Sequence, residues 1–327
     1  MDSGMSAVVR REQAVKRRPA TVVTIAAATV VAFAAAFLAA GCAPGEGPNQ
    51  ADASLGEAAA SAPIDLRIGS PEAFGEPLVY GSLGLSTSNH DFDYRQPRHP
   101  RVRLLHGAYT LTTPEVEHID IYGDKDLGGI DEIKLVLHEP LYGATHEQAR
   151  DFVRDLIRQI RAAGWKRLIY VSSPRFKGDS ALRTAFSDVY HLPPELTGLS
   201  LDPDAELPIA DMVREGEGGA WSPRFRWQFY ADGVELIVGL FDTRFDEKRP
   251  DYNTYRVELE FASQESQMRL LFPEKVRADW RELWPAKALE LSAERAEREA
   301  LARKHGLEID ESYSDPPIAP AMAGRRF

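Results

Sequence analysis

A single cysteine, Cys42, closes an apolar run near the start of this chain of 327 residues. The run spans residues 20–41, ends in small residues and follows a stretch with five lysines and arginines. A basic stretch, an apolar stretch and small residues at its end form the pattern of a secretory signal. Because the sequence has no other cysteine, the part after Cys42 must fold around an ordinary apolar core, without disulfides or thiolate metal ligands.

The five residues that end at Cys42 read LAAGC and resemble the signal of bacterial lipoproteins. The large aliphatic residue that usually stands three before the cysteine is replaced by Ala39, with Leu38 one step earlier. The resemblance implies that Cys42 is lipidated and becomes the new N-terminus. Ala43 follows where an inner-membrane signal would have aspartate, which implies an outer-membrane protein that faces the periplasm.

An uncleaved membrane anchor is the alternative interpretation of the same run. Residues 20–41 are long enough to cross a bilayer, which takes roughly 20 apolar residues. Their composition is rich in alanine and threonine, so their insertion is weakly favourable. Under either interpretation the basic flank stays in the cytoplasm and the rest of the chain lies outside it.

The exported part of the chain is acidic. After residue 41 it holds 34 lysines and arginines against 48 aspartates and glutamates, a net charge of −14. This balance argues against binding nucleic acid, whose phosphates would be repelled. It also argues against electrostatic attachment to an anionic membrane. Membrane contact is therefore expected through the lipid on Cys42, and an acidic surface suits a basic partner.

Composition divides the chain into six segments. Residues 43–63 are small and turn-forming with little apolar bulk, so they are expected to form a flexible tether. Residues 311–327 are expected to be disordered or to become ordered only with a partner. The predicted segments are a signal peptide (1–41), a tether (42–63), an N-terminal α+β unit (64–190), a β-meander unit of the same or a second domain (191–274), a C-terminal helix (275–305) and a disordered tail (306–327).

The clearest helix pattern follows Thr145. Thr145 and Gln148 form a capping box, an apolar stripe follows at spacings of three and four, and Gly164 is a typical stop before a short strand at 168–171. The C-terminal helix carries Pro285, which predicts either a kink or a restart of the helix. Its alanine-rich second half is expected to project from the body.

Alternating residues predict the strands. Residues 102–111, 117–122 and 130–137 have strand composition. Residues 225–261 form three further strands with a hairpin turn at Asp232-Gly233, which predicts a meander with one buried and one solvent-facing side. The predicted class is α+β, with antiparallel sheets, helices packed on one face and a C-terminal helix.

Familiar catalytic motifs are missing from the sequence. It has no nucleophile elbow, zinc-protease helix or phosphate-binding glycine loop, so we expect no enzyme, no catalytic residue, no metal and no cofactor. The run from Asp124 to Gly129 has carboxylates at calcium-loop spacing but is more typical of a hairpin turn.

Two histidine–carboxylate patterns are weaker candidates for catalysis. They are His90-x-x-Asp93 and His118-x-Asp120, and the second pair falls on one face of a strand. A carboxylate beside an imidazole suits general-base chemistry, although most such pairs are structural hydrogen bonds.

Candidate partner-binding residues lie on three segments. Basic residues between prolines suit an acidic partner, and arginine with aromatic residues dominates interfaces. The candidates are Arg95, Arg98 and Arg101 in the first loop, Arg175 and Phe176 in the second, and Tyr230 beside the predicted hairpin.

Short stretches resemble bacterial lipoproteins that accompany type VI secretion toxins. The matching elements are Gly164-Trp165-Lys166-Arg167, Pro174-Arg175-Phe176, Gly178 and Tyr230-Ala231-Asp232-Gly233. The resemblance implies an immunity protein, which protects the producing cell from its own toxin by binding it. The expected function is therefore a membrane-tethered periplasmic binding protein. An envelope scaffold or small-ligand carrier is the alternative, and a hydrolase with a scattered site is the third.

Overall fold

The computed structural model of this chain describes residues 62–320, apart from 83, 93–97, 139–141, 198–199, 214–222 and 244–252. The signal peptide with Cys42 and nearly all of the tether lie outside the described residues, as do Asp93 and Arg95. The described residues all fall within one compact unit.

The described residues form twelve strands and six α-helices, which together make an α+β fold. The strands are β1 (Ile64–Leu66), β2 (Glu72–Ala73), β3 (Glu76–Pro77), β4 (Leu85–Asp91), β5 (Arg101–Leu104), β6 (Leu111–Asp124), β7 (Gly129–Leu137), β8 (Tyr142–Ala144), β9 (Lys166–Arg167), β10 (Phe225–Ala231), β11 (Val234–Thr243) and β12 (Asn253–Ser263). The helices are α1 (His146–Ala162), α2 (Asp179–Thr184), α3 (Ser187–Tyr190), α4 (Ile209–Val213), α5 (Gln264–Leu270) and α6 (Trp280–Lys304). The predicted fold class is confirmed.

One large sheet organises the described residues. Its strand order is β1-β5-β6-β7-β12-β11-β10-β9, with β4 added to β6 and β8 to β12. All neighbours are antiparallel except β1 and β5, which are parallel. The loop after β5 reaches β10, where Nε2 of His106 donates to the carbonyl of Ala231 at 2.8 Å.

Helix α1 covers the inner face of this sheet. The capping box predicted at Thr145 and Gln148 is present, and Gly164 follows the helix with a φ of 91°. The apolar stripe of α1 packs on inner-facing side chains of β6, β7, β10, β11 and β12 in the main core. On β10 these are Phe225, Trp227 and Phe229, opposite apolar residues of β11.

Three strand predictions need correction. Residues 102–111 form β5 and the start of β6 instead of one strand, because Gly107 has a positive φ of 54° and begins a 3-10 turn. The short strand predicted at 168–171 is instead β9 at Lys166–Arg167, which pairs with β10. The chain turns between Tyr170 and Ser173, so the strand does not extend through 171. The meander is not solvent-facing on one side at β10, where six of the seven residues are buried.

The C-terminal end of the chain also differs from expectation. Helix α6 continues through Pro285, which lies near its start, and buries Leu291 and Ala302 against the body instead of projecting. Residues 306–320, here called the C-terminal segment, are ordered against the body, so the prediction of disorder is wrong for them. The backbone of Ile309 pairs with Phe176, and the Ala319 amide donates to Gln264.

Candidate functional site

A half-buried layer of charged side chains lies on the sheet face opposite α1. Strand alternation and register bring it together, because Asn89, Asp120, Lys134 and Glu260 stand opposite one another on β4, β6, β7 and β12. The charged sheet face comprises His118, Asp120, Tyr122, Glu132, Lys134, Glu258 and Glu260.

His118 is held between two carboxylates. Its Nδ1 lies 2.6 Å from Asp91 and its Nε2 lies 3.0 Å from Asp120. The hydrogen bond with Asp120 is the main cause that raises the pKa of His118 to about 9, against the opposing effect of burial. Because both ring nitrogens face acids, His118 is an imidazolium at neutral pH, and the geometry does not suit a general base.

Lys134 joins the carboxylates of three strands. Its Nζ lies 3.0 Å from Glu132 and 3.9 Å from Glu260, and Asp120 is its cross-strand neighbour. Burial opposes the charge of the ammonium, but the two glutamates outweigh that effect and raise its pKa. Lys134 therefore remains charged and ties the acidic side chains into one network.

The carboxylates of this face are differently stabilised. Burial raises the pKa of Glu258 and Glu260 above the usual range, and for Glu260 the charge of Glu132 adds to the effect. Burial also acts on Asp120, but its bonds to His118 lower the pKa of that carboxyl overall. Glu258 already pairs with Arg256 at 2.8 Å, so an approaching cation would add to this compensation and would stabilise the charged forms of both glutamates.

A buried acid adjoins the charged sheet face on β11. Glu235 is 2% exposed and accepts a hydrogen bond from the Tyr170 hydroxyl, while its Oε2 has no hydrogen-bond partner. Burial is the main cause that raises the pKa of Glu235 to about 8. Tyr230 of β10 is the cross-strand neighbour of Glu235. The C-terminal segment covers Tyr230, whose hydroxyl donates to the Pro317 carbonyl at 3.2 Å.

Among the described residues, the predicted partner-binding residues do not form one exposed surface. Arg98 and Arg101 are exposed before and at the start of β5, and Arg95 lies outside the described residues. Arg175 binds Glu299 of α6 through both carboxylate oxygens, at 2.7 and 2.8 Å. Its guanidinium therefore holds the 174–178 loop to α6.

Phe176 and Tyr230 are not exposed anchors, and the prediction is wrong for both. Phe176 is 1% exposed and packs in a small apolar cluster with Leu196, Ala302 and Leu307. Tyr230 is 8% exposed. In both cases the C-terminal end of the chain supplies the cover, which the sequence-based expectation of a disordered tail did not anticipate.

The other candidate patterns have structural roles. Asp124 accepts the amide of Asp126 at 2.8 Å and caps the turn between β6 and β7, as expected for a hairpin. His90 lies 3.2 Å from the Ser88 hydroxyl and contacts the ring of Phe74. Among the described residues, no three histidine, aspartate or glutamate side chains are grouped to hold a metal ion.

Sequence reasoning missed Lys134, Glu132 and Glu260 as members of a site. Their alternation with apolar residues was recognised, but it indicated only a solvent-facing side. The pairing of β7 with β12, about 125 residues apart in the chain, is what joins them. The sequence signal that could have revealed this site is the run of charged residues at every second position on the two strands predicted at 130–137 and 255–261.

Comparisons of this chain with protein-family models, curated proteins and solved structures found no match. Of the helices in the described part of the chain, none has the length and apolar character needed to cross a membrane.

Proposed function

We propose that this protein is a lipid-anchored binding protein of the bacterial envelope that faces the periplasm and recognises one protein partner. The resemblance at the N-terminus supports the anchor at Cys42 and, through Ala43, the outer membrane. The resemblance to type VI-associated lipoproteins supports an immunity protein as the particular kind of binder. Such a protein needs a surface that covers its partner, which buries roughly 1,200–2,000 Å² in a stable complex.

The charged sheet face is the observation that carries this proposal. Burial raises the pKa of Glu258 and Glu260 although Arg256 lies 2.8 Å from Glu258 and Lys134 lies 3.9 Å from Glu260, so these cations do not fully compensate the two charged forms. A basic partner would restore the compensation, and charge complementarity speeds encounter and excludes wrong partners. The partner surface is therefore expected to carry lysine or arginine.

A capture experiment tests this proposal. The tagged full chain is isolated from membranes of the producing cell beside a Glu132→Gln/Glu258→Gln variant and a Glu282→Gln/Glu297→Gln control with the same charge change on α6. We expect one protein to be retained by the wild type and the control, to be released by salt, and to be reduced about tenfold with the first variant. Equal retention by all three chains would contradict the assignment.

Enzymatic turnover of a substrate is the result that would favour the third alternative, a hydrolase with a scattered site. The same preparations are assayed against ester, amide and phosphate substrates. A saturable activity that His118→Ala abolishes, without a retained partner, would replace the binding proposal. We expect no such activity, because His118 is protonated at neutral pH and already bound on both nitrogens.

A further inference from the structure

The last described residues of the C-terminal segment lie on the same side of the sheet as the charged sheet face. The Pro317 carbonyl accepts the hydroxyl of Tyr230, which lies on the outer side of β10 because its sequence neighbours pack in the main core. The amide of Ala319 then donates to Oε1 of Gln264 at 2.8 Å. Gln264 directly follows β12, four residues after Glu260. The chain therefore reaches residue 319 near the end of a strand that carries part of the charged sheet face.

The ion pairs of the charged sheet face leave an excess of carboxylates. The side chains of Glu132, Glu258 and Glu260 are 22%, 31% and 23% exposed, so a further cation can approach them. An excess of two negative charges remains in these pairs when every carboxyl is ionised. The pairs join five carboxylates with three cations, namely Asp91, Asp120, Glu132, Glu258 and Glu260 with His118, Lys134 and Arg256.

The end of the sequence has the complementary charge. Residues 321–327, here called the arginine tail, lie outside the described residues and read AMAGRRF. They contain Arg325 and Arg326 and no acidic residue. Two adjacent cations in an acidic chain match the excess of two carboxylates on the charged sheet face, and opposite charges of this kind fix which surfaces meet.

The arginine tail is long enough to reach the charged sheet face. Arg325 stands six residues after Ala319, and an extended chain of six residues spans about 20 Å. Along β12, Glu260 and Glu258 lie four and six residues before Gln264, or about 13 and 20 Å. Because the chain leaves Ala319 on the outer side of the sheet, the arginines can meet these carboxylates without crossing the sheet.

We infer that the arginine tail docks on the charged sheet face of its own chain and competes there with other basic ligands. Docking would continue the contact that residues 317–319 already make with the outer side of the sheet. A tail tethered at Ala319 acts at an effective concentration in roughly the millimolar range, which favours the same chain over a second copy. The consequence for regulation rests on the proposed function, since a basic partner would have to displace the tail.

A cross-linking experiment locates the arginine tail. Phe327 is replaced by a photoreactive phenylalanine analogue in the full chain, which is purified in discs of neutral phospholipid. After illumination and digestion, mass spectrometry should find Phe327 linked to peptides that contain β7 or β12. The yield per molecule should stay constant when the protein is diluted tenfold, because the contact lies within one chain.

Two pairs of substitutions test the role of charge. Arg325→Gln/Arg326→Gln should lower the cross-linking yield about fivefold, and Arg325→Lys/Arg326→Lys should keep most of it. Lys275→Gln/Lys304→Gln is the control, because it makes the same charge change at two exposed positions outside the charged sheet face. The control pair should change the yield by less than about twofold.

Competition is measured with a fluorescent peptide of six arginines. Its affinity for the full chain should rise about fivefold in Arg325→Gln/Arg326→Gln, because the charged sheet face loses its internal competitor, and should stay within about twofold in the control pair. Glu132→Gln/Glu258→Gln should weaken its binding. Neither this measurement nor the cross-link requires the cellular partner, so the inference and the proposed function can fail separately.

Three results would overturn the inference. Cross-links from Phe327 that avoid β7 and β12 would place the arginine tail elsewhere, even if a partner is captured from cells. A yield that falls in proportion on dilution would make the occupant a second copy of the chain. Equal effects of the arginine and lysine pairs on the cross-link and on peptide affinity would reduce the effect to overall charge.

Discussion

His118 shows how one residue acquires its chemistry from neighbouring strands. Asp91 on β4 and Asp120 on β6 approach its two nitrogens from opposite sides, and Asn89 donates to Asp120 at 3.0 Å. The imidazolium is thus a bridge between an edge strand and the sheet. It contributes to stability only while it is protonated, which gives its contribution a defined pH range.

Replacing His118 is expected to change the pH dependence of stability. Its pKa is about 9 in the folded protein and about 6.5 in an unfolded chain. The ion pairs therefore contribute fully below pH 6.5, and the contribution is lost as the pH rises through 9. His118→Gln should lower the free energy of unfolding by about 1–2 kcal/mol at pH 6, since Asp91 is exposed, and by almost nothing at pH 10. Urea denaturation at both pH values measures this, and an equal loss at both would contradict it.

Glu235 should also make the folded protein less stable as the pH rises, but for a different reason than His118. Its pKa is about 8 when folded, above the usual value of 4.5, so its ionisation destabilises the fold as the pH rises from 4.5 to 8. Glu235→Gln removes the ionisation, keeps the shape, and leaves an acceptor for Tyr170. The variant should be more stable than the wild type at pH 9, by on the order of 2 kcal/mol, and similar at pH 4. Glu297→Gln on α6 is the exposed control, and thermal melts at the two pH values decide the result.

At the scale of elements, β10 depends on packing from both sides. Its inner side chains pack in the main core, and its outer side is covered at Tyr230 by the C-terminal segment.

Replacing the inner-facing Trp227 tests this packing. Trp227 is 4% exposed, so Trp227→Ala should lower the free energy of unfolding by about 3–5 kcal/mol. Leu289→Ala, at a position on α6 that is 75% exposed, should cost less than about 0.5 kcal/mol. Equal melting temperatures for the two variants would show that Trp227 is not part of the core.

Helix α6 holds the C-terminal segment and the 170–178 loop through Arg295. The guanidinium is bidentate to Asp315, at 2.7 and 2.9 Å, and also donates to the carbonyls of Tyr170 and Ser173. Its side chain is 10% exposed. Four hydrogen bonds from one buried cation thus link α6 to the C-terminal segment and to a loop more than 120 residues earlier in the chain.

Removing this cation should release the C-terminal segment. Arg295→Met is expected to lower the free energy of unfolding by about 2–3 kcal/mol, because Asp315 and two carbonyls lose their donor. Limited proteolysis followed by mass spectrometry should show faster cleavage after residue 305. The exposed Lys304→Met is the control, and cleavage at the same rate in both variants would contradict this role.

At the scale of the whole molecule, local sequence patterns predicted turns and helix ends correctly. Contacts between residues far apart in the chain could not be predicted from such patterns. The capping box at Thr145 and the hairpin at Asp232-Gly233 depend on neighbouring residues, and both are present. The burial of Phe176 depends on Ala302 and Leu307, more than 120 residues later in the chain. Composition alone predicted disorder for the C-terminal segment, because its anchors, such as the Gln264 side chain, lie on other elements.

Processing at Cys42 is the prediction that concerns attachment of the body to the membrane. Cys42→Ser removes the thiol that a lipidating enzyme needs, so the variant should accumulate as an unprocessed precursor. Mass spectrometry of the N-terminus reads the outcome. A wild-type chain that starts at Met1 with an unmodified thiol would identify an uncleaved anchor instead of a lipoprotein.

Cross-linking from the charged sheet face tests the binding function most directly. Val136 lies on β7 between His118 and Glu258, and its side chain is partly exposed. A photoreactive amino acid at Val136 in the full chain, in living cells, should form a cross-link to one basic protein, and the same group at Leu289 on α6 should not. The Glu132→Gln/Glu258→Gln variant should lower the yield about tenfold. Identical cross-links from Val136 and Leu289, or none from Val136, would contradict a binding function for this face.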